Sequence, residues 1–73
     1  MTTNDNLEDT WVRYVGDQSP KDFLAGEADP YLACLRYAQA VAKGELFGLL
    51  ENPIDPAVLA EDLMAYCKMR GAA

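Results

Sequence analysis

Residues with reactive side chains are few in this 73-residue chain, and their spacing suits no familiar catalytic site. There is no histidine, the single serine Ser19 precedes a proline, and Cys34 and Cys67 lack the Cys-x-x-Cys spacing of redox and zinc sites. Hydrolytic or metal-assisted catalysis needs a nucleophile beside a base, or several ligands converging on one point. We therefore expect a protein that is not an enzyme and that has no cofactor and no metal site.

Two other patterns that resemble functional sites also have simpler structural explanations. Glu8-Asp9 and Glu61-Asp62 are adjacent carboxylates, but neighbouring positions on a helix point in different directions, which indicates solvated faces rather than acid/base pairs. Gly44 and Gly48 lack the strand, turn and lysine of a phosphate-binding loop, so they indicate a helix break. Close packing of another helix against these small residues is an alternative.

The charge balance restricts the class of partner. Twelve acidic residues against six basic ones give a net charge of -6, which repels nucleic-acid phosphates and anionic membranes and favours a basic protein surface. Alternatively, the charge simply keeps a small protein soluble. The opening MTTNDNLEDT has neither the basic region nor the apolar run of a signal peptide. The sequence therefore predicts a cytoplasmic protein without direct nucleic-acid binding or membrane association, whose two cysteines are small buried hydrophobes.

Three pairs of a capping residue and a proline predict helix starts: Ser19-Pro20, Asp29-Pro30 and Asp55-Pro56. Proline fits the first helical position, and the preceding oxygen accepts a bond from a free backbone N–H of the first turn. Gly26 predicts that the first of these helices has only one or two turns.

The helix from Pro30 has two possible ends. Its apolar spacing continues to Leu50, so either one helix with two weak points reaches that residue, or the helix breaks at Gly44 and a short one follows over 45–51. The helix from Pro56 is predicted to end at Gly71. Its apolar stripe consists of Val58, Leu59, Leu63, Tyr66 and Cys67.

The N-terminal segment is ambiguous between helix and strand. Residues 4–6 suit a helix cap before Leu7 and Trp11, whereas residues 11–15 have strong strand propensity. We favour the helix, preceded by a mobile tail over residues 1–6 and matched by a frayed end at 71–73. The whole chain, 1–73, is then a single small all-α domain, a bundle of three to four helices.

Two groups of residues are candidates for binding a partner protein. Trp, Tyr and Arg dominate protein interfaces, and three such residues follow the N-terminal tail; Trp11 is alternatively the main core aromatic of a small domain. A second apolar group lies near the proline turn, where a core this small does not cover every side chain. The candidate partner-binding residues are Leu7, Trp11, Arg13, Tyr14, Phe47, Leu50 and Ile54.

The segments MTTNDNLEDTWVRYVGD and DPYLACLRYAQAVAKGELFGLL, together with the chain length, resemble the small RNA-polymerase-binding transcription regulators of Xanthomonas lytic phages. The resemblance covers the full chain and includes no signature motif. It implies a protein of the infected host cell's cytoplasm that binds host RNA polymerase near the RNA exit channel, at the N-terminal end of the large beta-prime subunit. There it would inhibit initiation by displacing the sigma factor and would suppress intrinsic termination.

Two other functions fit the same residues. A DNA mimic would present rows of carboxylates to a nucleic-acid-binding host protein, and its binding would be abolished by charge reversal and by moderate salt. A structural homo-oligomer would cover an apolar stripe by pairing helices across a two-fold axis. If instead Trp11 and Tyr14 anchor a partner at the surface, Trp11→Ala and Tyr14→Ala are expected to weaken binding without unfolding the domain.

Overall fold

Four α-helices make up the regular structure of the described chain. The structure, a computed structural model, describes the backbone of residues 3–72 and the side chains of residues 6–72. The helices are α1 (Thr3–Tyr14), α2 (Pro20–Phe23), α3 (Pro30–Ala42) and α4 (Pro56–Met69), and this part of the chain contains no strand. The prediction of a small all-α bundle is confirmed, and the ambiguous N-terminal segment is helical.

The starts of α2, α3 and α4 lie at the three predicted capping pairs. The Ser19 hydroxyl accepts a hydrogen bond from the Asp22 N–H at 3.2 Å, and the Asp29 carboxylate accepts one from the Leu32 N–H, also at 3.2 Å. The Asp55 carboxylate accepts the Ala57 N–H at 2.9 Å. In each helix the proline occupies the first position, where its missing N–H leaves no donor unsatisfied.

The helix α3 ends at Ala42, which decides between the two predicted ends. The Gly44 N–H donates to the Val41 carbonyl and the Glu45 N–H to the Ala40 carbonyl, the paired bonds of a Schellman motif with glycine in the left-handed position. Residues 43–47 then form a turn rather than the short second helix predicted over 45–51. Leu46 and Leu49, which lie within the apolar spacing that continues to Leu50, are consequently outside the helix, and Leu49 is 90 % exposed.

The structure describes part of each predicted mobile end. The helix α1 begins at Thr3, because a helix held by its buried face at Leu7 and Trp11 gains one hydrogen bond for each residue added. Residues 3–6 are thus helical, and residues 1 and 2 lie outside the described residues. At the other end, the Ala72 N–H donates to the Cys67 carbonyl and Ala72 packs against the core, whereas residue 73 lies outside the described residues.

The core forms where α4 packs against the other three helices. Its largest fully buried side chains are Leu63, Val41, Cys34 and Cys67, so the prediction that both cysteines are small buried hydrophobes is confirmed. One continuous cluster takes buried side chains from α1, α3 and α4 and from the end of α2. Its members are Leu7, Trp11, Leu24, Ala33, Cys34, Ala38, Val41, Leu59, Ala60, Leu63, Tyr66 and Cys67.

A chain of aromatic contacts joins all four helices through Trp11. The Trp11 ring stacks on Tyr66 with 5.1 Å between centroids and meets the edge of Phe23 at 5.2 Å; Phe23 in turn packs against Tyr37 at 5.1 Å. The indole Nε1–H of Trp11 donates to the Gln18 carbonyl at 2.8 Å. Because Trp11 is only 2 % exposed, it is the central core aromatic.

Candidate functional site

A groove of about 390 Å³ runs between α1 and α4, and we call it the α1–α4 groove. Apolar and charged side chains line it together. The loop before α4 contributes one residue, and the two helices contribute the others. Its lining consists of Asn6, Asp9, Thr10, Arg13, Tyr14, Ile54, Val58, Leu59 and Asp62.

The helical repeat explains why these residues share one groove. On α1, Asp9 and Arg13 are four residues apart, as are Val58 and Asp62 on α4, so each pair occupies one face of its helix. The sequence placed Val58 in the buried stripe of α4. It lies instead 54 % exposed at the edge of that stripe, while its neighbour Leu59 is buried and forms the floor of the groove.

The apolar part of the groove continues onto the loop after α3. The Tyr14 ring meets the edge of Phe47 with 6.3 Å between centroids, and Phe47 is 52 % exposed. The Tyr14 backbone is fixed because its carbonyl accepts a hydrogen bond from the Tyr37 hydroxyl. Tyr14, Phe47, Ile54 and Val58 thus form a joined, partly exposed set, which we call the apolar surface.

The predicted partner-binding residues divide into two groups. Leu7 and Trp11 are buried, so the assignment of these two residues to an accessible binding surface is corrected: both pack in the core. Leu50 is half-buried and also packs against the core. The remaining four belong to the groove or touch it, namely Arg13, Tyr14, Phe47 and Ile54.

Six residues of the groove lining were not among the predicted site residues, namely Asn6, Asp9, Thr10, Val58, Leu59 and Asp62. The sequence predicted that Val58 belongs to the buried stripe of α4 and that Asp9 and Asp62 are solvated carboxylates. Asp62 is half-buried in the groove wall, whereas its neighbour Glu61 is exposed on another part of the surface. The available signal was the four-residue spacing of Asp9 with Arg13 and of Val58 with Asp62, but the sequence does not indicate that α1 and α4 are neighbours.

The two cysteine thiols are unsuited to nucleophilic chemistry. Both are fully buried, and burial together with the neighbouring Cys67 raises the pKa of the Cys34 thiol to about 12. Burial also raises the pKa of Cys67, while its hydrogen bond with Cys34 acts in the opposite direction. Only the thiolate is an effective nucleophile or metal ligand, so both thiols remain protonated and inert at neutral pH.

The raised thiol pKa values predict a loss of stability in alkali. The folded state holds these protons more tightly than the unfolded state, so this contribution is complete below about pH 9 and disappears as the pH rises toward 12. For Cys34, the free energy of unfolding is expected to fall by about 1.4 kcal/mol per pH unit in that window. Urea unfolding at pH 8 and pH 10 measures the effect.

A Cys34→Ala variant is the control for the alkaline prediction. Burial also raises the pKa of Tyr37, so this residue contributes to the same loss of stability. The comparison therefore concerns how far the free energy of unfolding decreases between pH 8 and pH 10. The drop is expected to be smaller in Cys34→Ala than in the original chain. Equal drops in the two proteins would contradict the assigned thiol pKa.

Within residues 3–72, no group of three or more potential ligands is arranged to hold a metal ion. None of the four helices in this part of the chain has the length and apolar character required to cross a membrane. Comparison with known proteins adds no assignment, because the chain matches no family model, no curated protein and no solved structure.

Proposed function

We propose that this protein acts by binding another protein through the apolar surface of Tyr14, Phe47, Ile54 and Val58. The observation that supports this most directly is the difference in solvent exposure between the buried core and these side chains. Twelve hydrophobic residues are buried together, yet Phe47 and Val58 are each more than half exposed beside one groove. Burying exposed apolar area of this kind on a partner stabilises a complex by roughly 25 cal/mol per Å² before the costs of association.

Host RNA polymerase is the partner that we propose, on the basis of the sequence resemblance to phage transcription regulators. The protein would bind near the RNA exit channel, at the N-terminal end of the large beta-prime subunit, inhibit initiation by displacing sigma and suppress intrinsic termination inside the infected cell. The net charge of -6 supports this choice, because an enzyme that holds nucleic acid presents basic surfaces, toward which an acidic protein is steered. Preferential affinity for one state of the polymerase is sufficient, without catalysis.

Two valines of equal exposure provide a matched test of the binding surface. Val58 in the α1–α4 groove is 54 % exposed, and Val12, on another part of the surface, is 55 % exposed. Val58→Ala is expected to weaken polymerase binding by about fivefold, the loss of roughly 1 kcal/mol expected at a contributing interface position. Val12→Ala is expected to leave the affinity unchanged. Surface plasmon resonance with immobilised core polymerase measures both, and equal affinities would remove the groove from the interface.

The functional consequence is tested by transcription in vitro. Promoter-dependent initiation by the sigma-containing enzyme is expected to fall when the protein is added, and readthrough of an intrinsic terminator is expected to rise. Phe47→Ala, which removes the most exposed member of the apolar surface after Val58, should weaken both effects, with Leu32→Ala as a control at another exposed apolar position. If Phe47→Ala inhibits initiation and suppresses termination as strongly as the original protein, the apolar surface is not the binding site. If the original protein itself leaves transcription unchanged, the proposal is refuted.

A further inference from the structure

We infer that the α1–α4 groove binds an apolar segment of the partner that carries an arginine or lysine, with the cation placed beside Asp9 and Asp62. This inference rests on the proposed function and specifies the chemistry of the bound segment. It differs from a general attraction between acidic and basic surfaces, because it assigns the charge recognition to two carboxylates and leaves their sequence neighbours Glu8 and Glu61 without a role.

The floor and the rim of the α1–α4 groove are apolar. Leu59 forms a buried floor, while Ile54, Val58 and Tyr14 remain partly or largely exposed around it. A volume of about 390 Å³ lies at the lower end of the range for binding sites, about 300–1,000 Å³. It therefore suits the side chains of one inserted segment better than the broad face of a folded domain.

Carboxylates lie on both walls of the groove. Asp9 belongs to α1 and Asp62 to α4, and both line the groove with Arg13 as the one basic residue of the lining. Among the side chains of residues 6–72, the ion pair within 4 Å is Arg36 with Glu27, so neither Asp9 nor Asp62 forms an ion pair with Arg13 at that distance. The groove thus has an excess of negative charge beside an apolar floor.

These features favour a cationic segment over the other possible occupants. A second copy of the chain would bring its own net charge of -6 to an already negative groove, and like charges in an interface oppose association. An anionic ligand would meet two carboxylates for one guanidinium. An arginine or lysine places its aliphatic stem along apolar surface and its charge at the rim, which matches Val58 and Asp62 on one face of α4.

Two double variants with identical charge changes test the inference. Asp9→Asn with Asp62→Asn alters the groove, whereas Glu8→Gln with Glu61→Gln removes the same two charges from neighbouring positions outside it. At about 0.15 M salt, the groove variant is expected to bind core polymerase about fivefold more weakly. This is a loss of about 1 kcal/mol for the two exposed carboxylates together. The control variant should change the affinity by less than twofold. Equal weakening would overturn the inference and favour general charge attraction, as in a DNA mimic.

A peptide titration tests the groove independently of the polymerase. The probe is a synthetic 14-residue helix of leucine and lysine with all leucines on one face, compared with a scrambled peptide of the same composition. Backbone NMR shifts are expected to concentrate on Tyr14, Ile54 and Val58, and to diminish both with the scrambled peptide and in the Asp9→Asn, Asp62→Asn variant. Shifts spread over the whole acidic surface, or equal for the two peptides, would overturn the inference. If core polymerase does not bind while the peptide binds in the groove, only the proposal that polymerase is the partner is contradicted.

Discussion

Replacement of Trp11 by alanine is expected to unfold most of the protein at room temperature. The ring contacts Tyr66 and Phe23 and is 2 % exposed, and truncation of a buried tryptophan costs about 3–5 kcal/mol. A core in a domain this small rarely supplies more than about 3–5 kcal/mol in total. Circular dichroism at 222 nm with urea titration measures the loss, which should remove most or all of the cooperative transition.

Two variants separate the causes of this loss. Trp11→Phe keeps an aromatic ring but removes the Nε1–H bond to the Gln18 carbonyl, and it is expected to stay folded with reduced stability. Val12→Ala alters the exposed neighbouring position and should change stability by less than about 0.5 kcal/mol. A Trp11→Ala variant as stable as Val12→Ala would contradict the central position of Trp11 in the core. The sequence-based hypothesis of a surface anchor predicts that folded outcome.

Gly44→Ala is expected to produce the second largest loss, although it adds only a methyl group. Gly44 has φ +83°, where an L-residue is strained by roughly 1–2 kcal/mol. A Cβ there would also lie 3.0 Å from the Gly48 carbonyl carbon and 3.1 Å from the Leu49 nitrogen. These are backbone atoms of the turn itself, so the overpacking adds a further cost of about 1–3 kcal/mol. Urea unfolding monitored by circular dichroism measures the sum.

Gly71→Ala is the matched control for this prediction. Gly71 occupies the same position of a Schellman motif, at the end of α4, with φ +74°, and a Cβ there would meet no atom within 4 Å. Its substitution should therefore show the conformational cost alone, roughly 1–2 kcal/mol. Equal losses at the two glycines would show that the turn over 44–48 relaxes freely. A larger loss at Gly44 would show that this turn fixes the path of the loop that carries Phe47.

Local signals in the sequence predict the helices well. Ser19, Asp29 and Asp55 each precede a proline and each accept a first-turn N–H in the structure, because capping depends only on residues within the same turn. The end of α3 required more information. Its apolar spacing continues past Gly44, and the glycine-based Schellman motif, supported by the approach of Gly48, decides where the helix stops.

The candidate site was harder to predict, because it depends on which helices are neighbours. Arg13, Tyr14, Phe47 and Ile54 were chosen by residue type, and the structure brings them to one region. Trp11 was chosen by the same rule, yet aromatic residues favour both interfaces and cores, and only packing separates the two. Asp9, Val58 and Asp62 gain a shared position solely because α1 packs on α4.

Gel filtration with RNA polymerase from a matched Xanthomonas host tests the central claim most directly. The protein is mixed separately with core enzyme and with the sigma-containing enzyme, and the eluted fractions are examined for all subunits. Co-elution with the core, and loss of sigma from the sigma-containing enzyme, is the predicted result. A protein that elutes at its own position in both mixtures, while circular dichroism shows it folded, would contradict the polymerase assignment and require a different partner for the apolar surface.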